Sequence, residues 1–253
     1  MNWDPEIYMR FADERTRPAV ELLARIPEGA PSHVIDLGCG PGNSTDLLAT
    51  RWPKAKIEGL EPSGEMLAKA RASGVKAKWI SGTIEWWSPQ ERYDVIYSNA
   101  ALHWIPDHRA LVPRLMGYVA RGGTLAFQVP QNFGAPSHML MREAADRGRW
   151  APKLMNARQI NVQEPETYYA LLAPLSKSID IWETTYFHVL DGEDPVLEWV
   201  SGTGLRPFVQ PLEPDERDAF LADYRRRLRD AYPPRPDGKT LFPFKRLFVV
   251  ATR

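Results

Sequence analysis

Residues Val34 to Thr45 read Val-Ile-Asp-Leu-Gly-Cys-Gly-Pro-Gly-Asn-Ser-Thr, and few folds can use such a stretch. A short apolar run, Val34, Ile35 and Leu37, meets three glycines at alternate positions, Gly38, Gly40 and Gly42. A helical pattern then starts at Asn43. This order describes a strand that stops, a loop with no side chains in the way, and a helix N-terminus. Glycine lets the main chain bend sharply and lets a ligand touch it. The helix N-terminus adds unpaired amides. An ordinary tight turn has no need of three alternate glycines behind an acid-tipped strand, so the loop points to a nucleotide-like ligand.

The surrounding pattern alternates. Strands are expected at 34–36, 57–60, 77–80, 94–97 and 124–129, with helices after the glycine loop to Arg51, from Ser63 to Ala72 and from Arg109 to Val119. Alternation of this kind predicts a parallel sheet with right-handed crossovers. It fails after Pro130, where residues 131–178 carry helical patterns, Met139–Arg147 and Pro165–Leu172, and no strand. A strand at 181–190, helices near 195–201 and 215–232, and a last strand at 246–251 follow. Asp4-Pro5-Glu6 reads as a helix start, with Asp4 as the cap and Pro5 in the first turn, and Pro18 restarts a helix.

The glycine spacing argues against one ligand. A dinucleotide fingerprint is G-x-G-x-x-G, whereas here Asn43 stands where the third glycine belongs. Asp36 lies two residues before the first glycine, and a carboxylate there suits a cationic or amine-bearing ligand. Asp36-Leu37-Gly38-Cys39-Gly40-Pro41-Gly42 resembles the first motif of the class I S-adenosylmethionine-dependent methyltransferases, strongly over residues 30–130. The resemblance implies an α/β, Rossmann-like, seven-stranded mostly parallel sheet with the last strand antiparallel, flanking helices and a helical cap insert. It implies one methyltransferase domain over 1–253: N-terminal lid helices at 1–29, a cofactor-binding core at 30–130, the cap at 131–178, and C-terminal strands and helices at 179–253.

The cofactor would then be S-adenosyl-L-methionine, with Asp36, Gly38, Gly40 and Gly42 facing its amino-acid portion. Glu61 ends the second strand, and a carboxylate there can accept from both ribose hydroxyls. Met66 packs near the adenine or belongs to the core. Relatives often place an Asp after the third strand to accept from the adenine amino group; here Thr83 replaces it, leaving the backbone amide of Ile84 as the other contact. Asn99, after the fourth strand, lines the methyl-donating end.

Several acceptor classes are excluded. Ser98-Asn99-Ala100-Ala101-Leu102-His103-Trp104 lacks the Asn/Asp-Pro-Pro-aromatic motif of nucleic-acid N-methylation. The single cysteine, Cys39, sits inside the glycine loop as a small packing residue, so no nucleophilic thiol and no disulfide is available, as in a reducing cytoplasm. No Cys/His cluster suggests a metal. Basic and acidic residues balance at 32 each, which argues against general affinity for nucleic acid or anionic membrane. No apolar run has the length of a membrane span. A small-molecule acceptor remains.

Longer motifs narrow it. Trp3-Asp4-Pro5 with Tyr8 and Arg15-Thr16-Arg17-Pro18, the run Asn99 to His108, Pro136-Ser137-His138 with Met141-Arg142-Glu143, Gly202 to Pro207, and Asp237 to Arg246 together resemble the trans-aconitate 2-methyltransferases. That resemblance implies methyl esterification of one carboxylate of a tricarboxylate. Candidate substrate contacts are Tyr8, Arg17, His103, Trp104, His138, Arg142, Arg206 and Lys245. His138 and Arg142 share a helix face one turn apart, and Arg pairs with two carboxylate oxygens. Each cation is otherwise a solvated surface charge. Lys245 and Arg246 point to opposite sides of the last strand. Arg225-Arg226-Arg227 reads as a solvated helix face, and Trp86-Trp87 as core or lid. His103 either orients the acceptor or packs beside Trp104. No residue is assigned to proton transfer, because the acceptor is already an anion. Other readings are a methyltransferase for another small acid or a phenol and, more distantly, a nicotinamide-dependent oxidoreductase.

Overall fold

The computed structural model describes residues 16–155, 157, 161–201 and 204–253; the expected helix start at Asp4 and the candidate Tyr8 lie outside the described residues. Seven strands form one sheet: β1 His33–Leu37, β2 Lys56–Glu61, β3 Lys78–Ser81, β4 Tyr93–Asn99, β5 Val119–Pro130, β6 Ser178–Leu190 and β7 Thr240–Thr252. Their order is β3-β2-β1-β4-β5-β7-β6. The first five pair in parallel. β7 is reversed: Gly122 N–H bonds to Arg253 O near the start of β5, and Gln131 N–H bonds to Lys245 O just past its end. This is the mostly parallel, seven-stranded α/β sheet that the sequence implies.

Two compact units divide the chain, one of residues 1–130, 161–183 and 247–253, the other of 131–160 and 184–246. The first contains α1 Arg17–Arg25, α2 Asn43–Arg51, α3 Gly64–Ala72, α4 His108–Gly117 and α6 Pro165–Leu172. Its central strands are buried on both faces: Val34, Ile35, Leu37, Ile96, Leu125 and Phe127 are fully enclosed, as expected for a parallel sheet covered by helices. The Tyr97 hydroxyl of β4 donates to Ala19 O at 2.8 Å and fastens α1 to the sheet.

The second unit contains α5 Pro136–Arg147, α7 Pro195–Ser201, α8 Arg206–Val209 and α9 Pro214–Ala231. Its core is aromatic, with Trp150, Phe208, Phe220, Tyr224, Tyr232, Phe242 and Phe244 packed with Met141 and Leu228. Two buried hydroxyls clamp the start of α5: Tyr224 donates to Ser137 O at 2.7 Å, and Tyr232 accepts from Ser137 N–H at 3.1 Å. The helices expected over 131–178 divide between the units, α5 in the second and α6 in the first. Arg225, Arg226 and Arg227 form ion pairs with Asp194, Asp223, Asp230 and Glu143.

Three expectations shift. β5 starts at Val119, before the Gly122-Gly123 pair, because the ladder against β4 slips between Tyr93 and Val95 and absorbs the glycines as a bulge. β7 starts at Thr240 rather than Arg246. Pro243 looks like a strand breaker, yet Phe242 and Phe244 on either side of it are buried in strand alternation. Trp86 and Trp87 separate: Trp87 is buried between Tyr93 and Tyr118, whereas Trp86 is 87% exposed.

Tyr224→Phe removes a hydroxyl whose partner carbonyl is buried. Urea unfolding should show a loss of about 1–3 kcal/mol, the cost of an orphaned buried acceptor. Unchanged stability would mean that Ser137 O finds water instead.

Candidate functional site

The strand order reverses between β1 and β4, the place where open α/β sheets bind ligands beyond the carboxyl ends of their strands. Four strand ends meet that description. Asp36 is the penultimate residue of β1 and the glycine loop follows that strand, Glu61 closes β2, Thr83 and Ile84 follow β3, and Asn99 closes β4.

The glycine loop depends on two kinds of freedom. Gly38 has φ +73°, and a Cβ built on it would lie 2.2 Å from the Ala101 Cβ, so no side chain can stand there. Gly40 has φ +56° and nothing within 4 Å of a built Cβ; its requirement is conformational and the space beside it is open. Gly42, also left-handed, is the N-cap of α2. Cys39 is buried, burial and the carboxylates of Asp36 and Glu61 push its thiol up, and it is a packing group.

Asp36 is fully buried. Its Oδ2 accepts from Ser44 Oγ and Thr45 Oγ1, each at 2.7 Å, while Oδ1 is buried without a hydrogen-bond partner. Burial pushes its carboxyl up to about 6; the two hydroxyls oppose the rise and Glu61 adds to it. Glu61 accepts from Gly40 N–H at 3.1 Å and from Ser63 N–H at 2.9 Å. Two oxygens offer about four acceptor positions, so further donors can be taken.

Thr83 Oγ1 and Asn99 Oδ1 are also buried without hydrogen-bond partners. Three strand ends thus each present an enclosed oxygen with unused capacity, an arrangement that costs stability unless a donor-bearing ligand fills it. Ile84 is buried, and its carbonyl accepts from Arg114 at 2.8 Å. Met66 is half-buried in the first turn of α3, and its amide donates to the Ser63 cap.

Beyond Asn99 the chain makes a short 3₁₀ turn, Leu102–Trp104. His103 is half-buried and its ring lies 4.6 Å from that of Trp104, which is 51% exposed. Arg17 is exposed on α1 and paired with Glu21 at 2.8 Å.

The remaining candidates belong to the second unit. His138 and Arg142 come together on α5 as their spacing predicts, and with a consequence: burial, then the Arg142 charge, pushes His138 down to about 4. In the ligand-free protein His138 is therefore neutral near pH 7, and of this pair Arg142 carries the positive charge. Arg142 donates to Phe133 O at 2.5 Å, using one of five N–H groups. A Cβ on Gly204 would lie 3.4 Å from His138 Nε2. Arg206 is exposed. Lys245 is half-buried, its amide held by Asn132 Oδ1 at 2.5 Å, while Arg246 is buried with its guanidinium 4.8 Å from the Phe244 ring centre. Among the described residues no group of His, Cys, Asp and Glu could hold a metal.

Sequence reading overlooks the hydroxyls of Ser44 and Thr45 and the role of Ala101 against Gly38. Their signal was present: Asp36 and Thr45 are nine residues apart, but a strand–loop–helix turn folds them together.

A family model described as "Methyltransferase domain" matches residues 8–173. The chain is 48% identical over 252 residues to a trans-aconitate 2-methyltransferase of Azoarcus sp., covering 99% of each chain. It is 49% identical to one of Streptomyces avermitilis, covering 99% of this chain and 96% of that one. Likeness of fold alone extends to the YcgJ protein of Bacillus subtilis, with TM-score 0.60, 14% identity and coverage of 93% and 97%. It extends also to a Haemonchus contortus phosphoethanolamine N-methyltransferase 2 in complex with S-adenosyl-L-methionine, with TM-score 0.54, 14% identity and coverage of 98% and 56%.

The Asp36 carboxyl makes a prediction about pH. Its folded pKa, about 6, is above the ordinary 3.8, so the ligand-free native state binds the proton more tightly than the unfolded chain. The resulting stability is full below about 3.8 and is lost as pH rises through 6, about 3 kcal/mol in all. Asp36→Asn should remove that fall. Denaturant unfolding from pH 4 to 7 reads it as the difference between the two profiles, and parallel profiles would refute the assignment.

Proposed function

The chain belongs to the methyltransferase family, alongside relatives named trans-aconitate 2-methyltransferase, and from that membership we propose that it transfers the methyl group of S-adenosylmethionine to a carboxylate of trans-aconitate. The observation that carries this reading is identity of 48% over 99% of the chain with a protein of that name. The carboxyl edge of the sheet supports the cofactor independently. Asp36, Glu61, Thr83 and Asn99 form an acceptor-rich set suited to a molecule that bears an ammonium, a sulfonium, ribose hydroxyls and an exocyclic amine.

In this reading the Gly38–Gly42 loop and Asp36 hold the amino-acid portion, Glu61 the ribose hydroxyls, and Met66, Thr83 and Ile84 the adenine, with Asn99 beside the methyl-donating end. When bound, the cofactor would supply an electrophilic methyl on a sulfonium, whose sulfur is the leaving group and would keep the electron pair of the C–S bond. The chain's residues then have no proton to move. A carboxylate with an ordinary pKa of about 4 is ionised at neutral pH, so no general base is assigned, and His103 is a contact. The protein's work is alignment and exclusion of water, because water stabilises the separated oxyanion and sulfonium more than a charge-dispersed transition state.

Arg142 is the favoured carboxylate anchor among the candidates, being half-buried with donors to spare; neutral His138 offers a hydrogen bond. Arg206 and Lys245 are further candidates, with Tyr8, Arg17 and Trp104 completing the expected set. The substrate is a small molecule, and among the described residues no helix is long and apolar enough to cross a membrane. A buried, free Cys39 is compatible with a cytoplasmic setting.

Glu61→Gln should weaken S-adenosylmethionine binding by about 1.5–3 kcal/mol, the usual worth of hydrogen bonds to a charged group. Calorimetry reads it, and an unchanged Kd in a folded variant removes the ribose role.

A methyl-transfer assay across di- and tricarboxylates, with the ester located by NMR, tests the acceptor. Trans-aconitate should be the preferred acceptor, and Arg142→Ala should raise its KM by a factor that corresponds to about 2–5 kcal/mol while leaving cofactor affinity near normal. Preference for a phenol, with a rate that follows one deprotonation between pH 6 and 8, would bring His103 forward as a base and replace this reading.

A further inference from the structure

The chain from Ala100 to Asp107 is held at both ends by backbone that residues with side chains avoid. Ala100 and Asp107 both have φ +53°, and they are the only non-glycine residues with positive φ among those described. Such conformations persist where surrounding structure over-determines them, and they collect at functional sites. Between them lies the turn that carries His103 and Trp104, directly after Asn99.

Ala100 N–H is held by Gln128 O and Asp107 caps the following helix through Ala110 N–H; between them the turn is held by His108. Its side chain is fully buried, and both ring nitrogens are engaged: Nε2 lies 2.8 Å from Leu102 O and Nδ1 2.5 Å from the Tyr168 hydroxyl. A carbonyl can only accept, so Nε2 carries the proton and donates it. Nδ1 then bears the lone pair and accepts from the Tyr168 O–H. That oxygen in turn accepts from Gln163 N–H at 3.1 Å. The bonds therefore run in one direction, from Gln163 through Tyr168 and His108 to Leu102, and they fix a neutral imidazole in a single tautomer. Burial lowers the pKa of His108, in keeping with that neutral state. A second contact braces the neighbouring residue: Asn161 Nδ2 donates to His103 O at 3.4 Å. Tyr168 is itself immobilised, fully buried with its ring edge-on to Phe127 of β5 at 5.3 Å.

We propose that His108 and Tyr168 are positioning residues for methyl transfer, acting through Leu102 to hold the 100–107 turn in the conformation that presents Asn99, His103 and Trp104. The inference rests on the proposed methyltransferase activity. Neither ring is a proton acceptor for substrate, since both are enclosed and both nitrogens of His108 are already committed. Their effect falls on alignment, to which an in-line transfer without a base is most sensitive.

The test uses His108→Leu, His108→Gln and Tyr168→Phe in the full chain. Gln places an N–H where His108 has Nε2–H and keeps the bond to Leu102, whereas Leu keeps neither bond. In His108→Leu, kcat should fall at least tenfold, with the Kd for S-adenosylmethionine within about twofold of wild type and the shape of the pH profile unchanged. His108→Gln should recover most of kcat, and Tyr168→Phe should lose several-fold. Amide hydrogen exchange at Trp104 and Ile105, which bond to Ala101 O and Leu102 O, should quicken in His108→Leu. Imidazole NMR should report His108 as the Nε2–H tautomer at pH 7. Unchanged kcat or unchanged exchange in His108→Leu, or an Nδ1–H or doubly protonated ring, would overturn the proposal; if His108→Leu does not fold, Tyr168→Phe decides by the same readouts. If the wild-type protein methylates no carboxylate, the functional reading fails, and exchange and tautomer still decide whether His108 holds the turn.

Discussion

Everything at the carboxyl edge depends on how closely two loops pass where the strand order reverses. β1 and β4 are hydrogen-bonded neighbours, and the loops that leave them meet where Gly38 faces Ala101. A methyl on Gly38 would sit 2.2 Å from the Ala101 Cβ. The absence of that methyl lets the β1 loop swing toward Glu61, whose carboxylate captures Gly40 N–H. The presence of only a methyl on Ala101 lets the β4 loop begin its left-handed bend at Ala100. Hydrogen bonding reinforces the crossing one layer below, where buried Ser98 Oγ donates to Leu37 O at 2.8 Å. The glycines supply freedom, and these few contacts remove it again in one defined geometry.

The same edge concentrates unfavourable electrostatics. Asp36 is enclosed with one oxygen unsatisfied and Glu61 nearby, so in the absence of a ligand its ionised form is disfavoured. A protein tolerates such a group when something else offsets it. Ser44 and Thr45 offset part, and a cationic ligand would offset more. The second unit shows another enclosed titratable group, where half-buried His138 beside Arg142 stays neutral. In both places burial is the largest cause of the shift, and the neighbouring charge is secondary.

Much of this was legible in the sequence. The strand–glycine–helix stretch, the alternation to Pro130, the number of strands and the helices 165–172 and 195–201 could be read because periodicity and punctuation agree there. Glu61 and Asn99 were legible as strand-end residues. What could not be read depends on long-range pairing. Gly122-Gly123 looks like a turn until β4 supplies the ladder it bulges from. Pro243 looks like a stop until Phe242 and Phe244 find a core. The neutrality of His138 follows from its burial, which no spacing on a helix reveals. The pairing of His108 with Tyr168 joins residues 60 apart, and nothing local marks either as a partner.

The charge of the edge also weighs between cofactors. A dinucleotide brings a pyrophosphate, which binds to free loop amides at a helix N-terminus. Here Gly40 N–H is committed to Glu61, and both Asp36 and Glu61 would meet a polyanion with like charge. Glycine spacing alone argues against a dinucleotide through one residue, Asn43. The structure adds a reason that does not depend on counting: the carboxylates of Asp36 and Glu61 can only accept when ionised and the Asn99 carbonyl oxygen is unsatisfied, so the favoured ligand is rich in donors and positive charge. S-adenosylmethionine has both at its amino-acid end. Methyl transfer also discharges its sulfonium, so in the proposed site the product would bring one positive charge fewer to the acidic edge. An edge of this character therefore favours the charged donor over the neutral thioether that transfer leaves behind.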